Sequence, residues 1–475
     1  MTPFTPLSPA LLDELVALLG SDRVSTDPER RRSCSLDEIP ARFWKEPHLA
    51  EAVVFCTTTD EVSRLMAFAT AHRIPVTPRG AGTGLSGGAV PAYGGIVLSL
   101  ERMNRILEMD PLNMTITVEP GVITSEITAA AAAAGFLYAG DPCSGDASCI
   151  GGNVAENAGG NKVIKYGATG ANVLALEAVL PDGRVTRFGG KRRKDVTGLD
   201  FVHLLVGSEG TLAVITGVTL RLVPRCAHGV DLLACFQDTA SAVAFVPRIV
   251  RETGILPSAL ELMDATALAL GQRYLGTTLF SGPAALAGAH LIIQLEGNHE
   301  DLLDTETELV GDLARAAGAL EVYVAAHRHA RDRLWRLRKA IPEAVMAFYS
   351  WYSKEDVVVP LGGISELIEE VARLCPELGL TSATFGHVGD GNLHVNLLAP
   401  PEHPTPERAL EEARLQLYGR VRDLGGTLSG EHGIGLKRRD HLGLFLDPAQ
   451  LELIRRVKAV FDPAGILNPG KIVPD

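Results

Sequence analysis

Two short stretches near the C-terminal end carry side chains that can do chemistry. Gly386-His387-Val388-Gly389-Asp390-Gly391-Asn392-Leu393-His394-Val395-Asn396 sets two imidazoles among glycines, and Gly430-Glu431-His432-Gly433-Ile434-Gly435 adds a carboxylate and a third imidazole. A single histidine beside glycines is ordinarily a capping or hydrogen-bonding residue. Several of them with a carboxylate, in loops that glycine keeps open, read instead as a site. Two imidazoles and one carboxylate suit a divalent metal that keeps positions open for substrate. His387 falls in a loop and His394 near the start of a strand, so both can turn to one point.

A different chemistry sits far upstream. The stretch from Pro75 to Gly95 contains seven glycines: Gly80, Gly82, Gly84, Gly87, Gly88, Gly94 and Gly95. Such a segment cannot pack a core. Its free backbone N–H groups can converge on phosphate, and Arg79 adds a fixed positive charge suited to a diphosphate. Gly82-x-Gly84-x-x-Gly87 matches the letters of the nicotinamide dinucleotide fingerprint. That fingerprint needs a helix opening inside the motif and an acidic residue about 20 positions on. Gly87, Gly88 and Pro91 forbid the helix, and the chain runs straight into a strand, so the nicotinamide reading is set aside. A second small-residue region, Gly140 to Gly170, and a third turn, Gly207-Ser208-Glu209-Gly210-Thr211, share the same domain. Small-residue segments this long inside a compact domain are usually functional.

The elements that must position these residues follow from periodicity and punctuation. Residues 9–20 read as an amphipathic helix stopped at Gly20, and 21–48 as charged and irregular. Strands are expected at 53–55, 74–77, 96–100 and 115–119, with a helix from Thr58-Thr59-Asp60-Glu61 onward, capped at its start, and an alanine-rich helix at 124–134. Pro181-Asp182-Gly183 marks a hairpin between 173–180 and 185–188, and strands at 212–215 and 218–223 precede a boundary at Pro224-Arg225. After 225 the order is strand 230–236, helix 241–252, strands 259–263 and 289–296, helix 302–317 and strand 320–325. That β-α-β-β-α-β order is the ferredoxin-like split sheet. Helices at 331–346, 364–375 and 406–424, a strand at 393–398, and a helix with a Pro/Gly-rich tail at 447–472 complete the chain.

Composition narrows the function. The chain has 475 residues, room for two or three domains, and carries a net charge of −13, which argues against nucleic acid as partner. No apolar run reaches the ~18 residues of a membrane span, and no secretory leader is read at the N-terminus. The seven cysteines are odd in number and contain no Cys-x-x-Cys pair. They fit a reducing, cytoplasmic setting, with peripheral membrane attachment still open, and they exclude the usual iron–sulfur spacings. If electrons leave this protein, the cluster that takes them is on another chain.

The three glycine regions together resemble the vanillyl-alcohol-oxidase (PCMH-type) FAD-binding domain. The resemblance rests on Pro78-Arg79-Gly80-Ala81-Gly82-Thr83-Gly84-Leu85-Ser86-Gly87-Gly88, on Gly140-Asp141-Pro142 with Gly151-Gly152-Asn153-Val154-Ala155-Glu156-Asn157-Ala158-Gly159-Gly160, and on Gly207-Ser208-Glu209-Gly210. It implies FAD, with the diphosphate on the first loop (Arg79, Gly80, Ala81, Gly82, Thr83, Gly84, Ser86). The isoalloxazine would lie on the second (Pro142, Gly145, Gly151, Gly152, Asn153, Ala155, Asn157, Gly160, Tyr166, Gly167). The adenosine half would meet the third (Glu209, Gly210), with Ile215 and Asn468 also at the cofactor. Some relatives tether FAD through a histidine in the first loop; none stands near Thr83, so the FAD is expected to be non-covalent.

The two histidine stretches are similar to the D-2-hydroxy acid dehydrogenase branch of that family, which includes D-lactate dehydrogenase, D-2-hydroxyglutarate dehydrogenase and the flavin subunit of glycolate oxidase. The implied fold is α+β: an FAD-binding domain over 1–225 (core about 48–225) and a ferredoxin-like substrate domain over 226–475, whose last segment, 430–475, returns toward the flavin. The resemblance makes His387, His394 and Glu431 ligands of zinc, manganese or iron, and His432 the base. Arg338, Lys354 and Asn396 would hold the substrate carboxylate, Arg338 with its bidentate fork. Lys354 taken alone is equally a solvated surface charge. Pro342 stands where some relatives carry threonine, which argues against longer dicarboxylates. The expected reaction removes a hydroxyl proton to His432 and passes the α-hydrogen to flavin as hydride. The acceptor beyond the flavin is left among a quinone, a cytochrome, an electron-transfer flavoprotein and an iron–sulfur subunit. A non-catalytic flavin subunit and an aromatic-alcohol oxidase are the rival readings.

Overall fold

The computed structural model describes residues 4–44, 46–278 and 282–473. The chain divides into two compact units, one of residues 1–159, 167–225 and 431–475, the other of residues 160–166 and 226–430.

The first unit has two layers of sheet. Ala52–Phe55 and Val76–Arg79 flank Ile96–Ser99 in parallel, and Val24–Ser25 closes one edge in antiparallel. The 52–55 and 96–99 strands are buried at every position, which is why they read as unbroken apolar runs rather than alternating ones. Helix Thr59–His72 covers them with Val62, Leu65, Met66 and Ala69; the Thr58 hydroxyl accepts the Glu61 N–H at its start and Arg73, in the left-handed region, ends it. The second layer is a five-stranded antiparallel sheet in the order 106–110, 115–118, 214–221, 173–179, 185–189. The C-terminal tail belongs to this unit. Ile466 and Leu467 are buried beside Val76, Val76 N–H donates to Ile466 O, and Asn468 N–H donates to Val76 O at 2.7 Å.

The second unit is one seven-stranded antiparallel sheet. Its strands are β1 (His228–Phe236), β2 (Ala259–Asp264), β3 (Ala289–Gly297), β4 (Glu321–Ala325), β5 (Trp351–Val358), β6 (Thr381–Gly386) and β7 (Asn392–Ala399). Their spatial order is β4-β1-β3-β2-β6-β7-β5. The first four strands keep the ferredoxin-like order, and the last three extend it from β2. Helix Ala265–Leu275 and the long helix Arg328–Phe348 pack together on one face, burying Leu268, Leu337 and Ile341 against Met263 and Phe385.

Several expectations need correction. Residues 21–48 contain a helix, Pro28–Cys34, capped by the Asp27 carboxylate. The region from 140 to 170 is not one long loop; Ile150–Glu156 is helical, with Gly151 and Gly152 inside it. A Cβ at Gly151 would lie 2.6 Å from that of Pro120, so glycine permits the helix to pack there. The strands read at 212–215 and 218–223 are one strand, Val214–Arg221, bulged between Ile215 and Gly217. β5, β6 and helix Ala265–Leu275 were not anticipated. One boundary between the units does fall at 225/226, and the last 45 residues join the first unit; the short segment 160–166, which was not anticipated, joins the second. Among the described residues, no helix is long and apolar enough to cross a membrane.

Candidate active site

In the first unit the phosphate-type loop begins where strand 76–79 ends. The Arg79 guanidinium turns under its own loop, donating to Leu36 O and, at 3.3 Å, to Ala81 O. Gly82 has φ +77, and a Cβ there would sit 2.1 Å from that guanidinium, so only glycine closes over it. Asp37 holds the far side of the loop by accepting Gly87 N–H at 2.7 Å; burial pushes its carboxyl up to about 6. Ser86 is fully buried and its hydroxyl has no hydrogen-bond partner among the described residues.

The other residues assigned to the cofactor sort by what they do locally. Asn153 is spent on packing, its amide donating to Thr124 Oγ1. Asn157 ends the 150–156 helix in the left-handed region and accepts Gly170 N–H. Ala155 O accepts Glu209 N–H. A Cβ at Gly152 would meet nothing within 4 Å. Gly145 closes a turn onto Pro142 O, Gly167 and Gly210 take positive φ, and Ile215 is buried in its strand. Tyr166, with Gly160, belongs to the second unit and donates to Glu296 there. Asn468 donates its amide to Gly88 O and Glu209 O, leaving a buried Oδ1 without a partner. The unsatisfied oxygens of Ser86 and Asn468 and the open space over Gly152 fit a cofactor lying on these loops. Unexpectedly, the Glu209 carboxylate turns to the 431–438 loop, its two oxygens accepting Ile434 and Gly435 N–H at 2.7 Å each. Glu431 lies against Gly159 in this unit, and His432 Nε2 is 3.8 Å from Glu431 Oε1.

In the second unit, register brings the polar residues onto one sheet face. Asp356 pairs with His394, Lys354 with Asn396, and Phe385 with His394. The Arg328–Phe348 helix lays Arg338 over this face with the guanidinium carbon 4.6 Å from the Phe385 ring centre. Arg338 is 1% exposed, and its Nε and Nη2 both lie 2.8 Å from Glu261 Oε2. The second oxygen of Glu261 is 2.5 Å from His387 Nδ1. Burial alone would raise the Glu261 carboxyl, yet His387 and Arg338 hold it below the usual carboxylate range. With its proton on Nδ1, His387 keeps its lone pair on Nε2. The His387 and His394 rings meet edge to face at 5.3 Å.

Asp356 is the hub of the other half. It lies 3.7 Å from His394 Nδ1, accepts from Asn392 Nδ2 at 2.8 Å and Ser429 Oγ at 2.9 Å, and accepts Gly430 N–H at 3.0 Å. Gly430 precedes Glu431 in the chain, so Asp356 fixes where that stretch begins. Asn396 donates its amide to Ala383 O and His394 O, which makes it a backbone brace. Lys354 is half-buried, its ammonium 5.6 Å from the Tyr352 ring centre. The sequence reading missed Glu261 and Asp356. Glu261 left a signal, an acid between Leu260 and Leu262 in a strand that must be buried, and buried acids are rare without partners; Asp356 left less, since it follows Lys354 and Glu355 in a strand that mixes charged and apolar residues.

Comparison with known proteins gives consistent results. Residues 50–189 match the family described as FAD binding domain, and residues 227–472 match FAD linked oxidases, C-terminal domain. Glycolate oxidase subunit GlcD of Bacillus subtilis (strain 168) is 34% identical, over 97% of this chain and 96% of that protein. A D-lactate dehydrogenase of Archaeoglobus fulgidus is 39% identical, over 90% of this chain and 93% of that protein. A D-2-hydroxyglutarate dehydrogenase of Stutzerimonas stutzeri is 31% identical, over 98% of this chain and 99% of that protein. Among solved structures, p-cresol methylhydroxylase with substrate bound superposes with a TM-score of 0.80, over 98% of this chain and 96% of that one. At 17% identity that is a likeness of fold alone.

Proposed function

The chain belongs to the FAD-linked oxidases and is an FAD-binding oxidoreductase, and from that premise we propose that it oxidises a small D-2-hydroxy acid to the 2-oxo acid. The observation that carries this reading is Arg338. Its guanidinium is buried, its Nε donates to Glu261 with Nη2 at ion-pair distance, and among the described residues neither Nη1 nor Nη2 has a hydrogen-bond acceptor. A buried cation left short of acceptors is costly unless a ligand completes it. The end-on Nη1/Nη2 edge is the fork that a carboxylate takes. Pro342, one turn further along the same helix, offers no hydrogen-bond donor there, which favours monocarboxylic acids of lactate or glycolate type over 2-hydroxyglutarate.

His387 and His394 beside Arg338 suit the adjacent hydroxyl. Imidazoles such as these and a carboxylate such as that of Glu431 are the donor types that fit zinc, manganese or iron. When bound, the flavin supplies a two-electron acceptor, and a divalent ion supplies Lewis acidity toward a hydroxyl. The chain supplies the rest. Arg338 fixes the carboxylate, and so the direction of the α-hydrogen. Glu261 keeps both Arg338 and the His387 tautomer in place. His432 takes the hydroxyl proton on Nε2. The electrons then pass to a separate acceptor: a quinone, a cytochrome, an electron-transfer flavoprotein or an iron–sulfur partner subunit.

Exhaustive chelation will abolish substrate oxidation while the visible flavin spectrum persists, and adding back one divalent metal will restore it. Undiminished turnover by metal-free protein would remove the metal from the mechanism and leave the substrate assignment to stand on Arg338.

A further inference from the structure

We infer that Glu209 is a positioning residue of the reaction, a carboxylate clamp that sets the loop carrying His432. The inference rests on His432 being the base. Arg438 Nη1 and the Ile472 N–H reach this loop too, but they donate to the carbonyls of Gly433 and Gly435 and leave its N–H groups to other partners. Gly433 and Gly435 take φ of +80 and +52, and a Cβ on Gly435 would lie 2.1 Å from Ser86 O. A Cβ on Gly433 would lie 2.0 Å from Glu156 Oε2. Side chains are therefore excluded on both sides of Ile434, and the loop must be held by its backbone. Four consecutive N–H groups do this. Ile434 and Gly435 donate to the two Glu209 oxygens, and Leu436 and Lys437 donate to Ser86 O at 2.9 and 3.0 Å. Converging N–H groups of this kind make a concavity for an anion, and here the anion is the protein's own.

Glu209 is itself fixed. Its N–H donates to Ala155 O, its carbonyl accepts from Asn468, and it takes φ +51, a conformation rare for residues other than glycine and asparagine. Burial raises its carboxyl, but the Ile434 and Gly435 N–H groups, Lys471 and Arg438 all favour its anion. The clamp ends two residues from His432. Without it, Ile434 and Gly435 lose their acceptors and His432 loses its anchor, whereas Arg338, His387 and His394 keep every contact described above. The expected signature is thus a loss in the chemical step with substrate binding preserved.

The test is Glu209→Gln in the flavin-loaded full chain. The amide would set an N–H against Gly435 N–H. The limiting rate of anaerobic flavin reduction should fall about 10²-fold, the effect of a misplacement near 1 Å, while the half-saturating substrate concentration changes less than about threefold. Flavin content should hold, and hydrogen exchange at the Ile434 and Gly435 amides should accelerate. A wild-type reduction rate, or a loss confined to half-saturation, overturns the inference. So does unchanged exchange at those two amides, whatever the rate. If the Gln variant loses flavin, Glu209→Asp keeps the charge and shortens the reach, and it is judged by the same criteria. His432→Ala run in parallel separates the two readings: full activity there sinks the base assignment, while exchange at Ile434 and Gly435 still decides the clamp.

Discussion

His432→Ala will keep its flavin and lose its turnover. The side chain is partly buried in the first unit, and Glu209 and Ser86 hold the 431–438 loop through backbone N–H groups, which the substitution leaves in place. Removing the imidazole should therefore leave the fold and the cofactor loops as they are. The hydroxyl proton then has no acceptor of matched pKa, and loss of a positioned general base costs about 10²–10⁴-fold. Glu431→Ala should lose as much, by a different route. It removes a donor from the proposed ligand set, so metal content falls with activity, whereas in His432→Ala metal content stays. Flavin absorbance, metal analysis and single-turnover reduction on the two variants check this. Full activity in either would sink the corresponding assignment.

Arg338→Met will be damaged twice. The first loss is binding. The substrate carboxylate loses its fork, and kcat/KM should fall by about 10³-fold, because a carboxylate left unpaired in a dry site is poorly held. The second loss is stability. Glu261 is fully buried and would keep the His387 Nδ1 hydrogen bond while losing its guanidinium partner. Breaking one side of a buried pair costs about 3–5 kcal/mol. Arg338→Lys separates the two effects. An ammonium can answer Glu261 or the substrate but cannot span both, so most of the stability should return while kcat/KM stays about 10²-fold low. Chemical denaturation and steady-state kinetics on the same preparations give both readings. A lysine variant as active as the parent would mean that Arg338 serves the fold and not the substrate.

Much of this protein can be read from its sequence, for identifiable reasons. The ferredoxin-like order of β1 to β4 follows from apolar runs with clear turns, and local periodicity suffices for it. β5 and β6 escaped because Trp351–Val358 mixes charged and apolar residues and Thr381–Gly386 is short and polar at its start; β5 is held by long-range pairing with β7, and β6 by the hairpin it makes with β7. Helix Ile150–Glu156 escaped because glycine is a poor helix former, and what requires glycine at 151 is the close approach of Pro120, which no local window shows. In the site, His387, His394 and Arg338 were visible as residue types, and their grouping on one face comes from strand register that no window of sequence contains. Glu209 is the clearest case of the limit. Its place in a glycine turn suggested a cofactor contact, but its carboxylate serves a loop more than two hundred residues away, Ile434 and Gly435. Asn396 failed in the opposite sense, since its amide is consumed by the backbone around β7.

In the proposed reaction a 2-hydroxy acid delivers its hydride to flavin in a hand-specific way. The most direct measurement is anaerobic mixing of the flavin-loaded protein with the D and L enantiomers of lactate, with glycolate and with D-2-hydroxyglutarate, followed by flavin absorbance. Fast bleaching by D-lactate or glycolate, slower bleaching by D-2-hydroxyglutarate and none by L-lactate is the predicted result. A flavin that stays oxidised with every 2-hydroxy acid, or that is bleached equally by both lactate enantiomers, would contradict it.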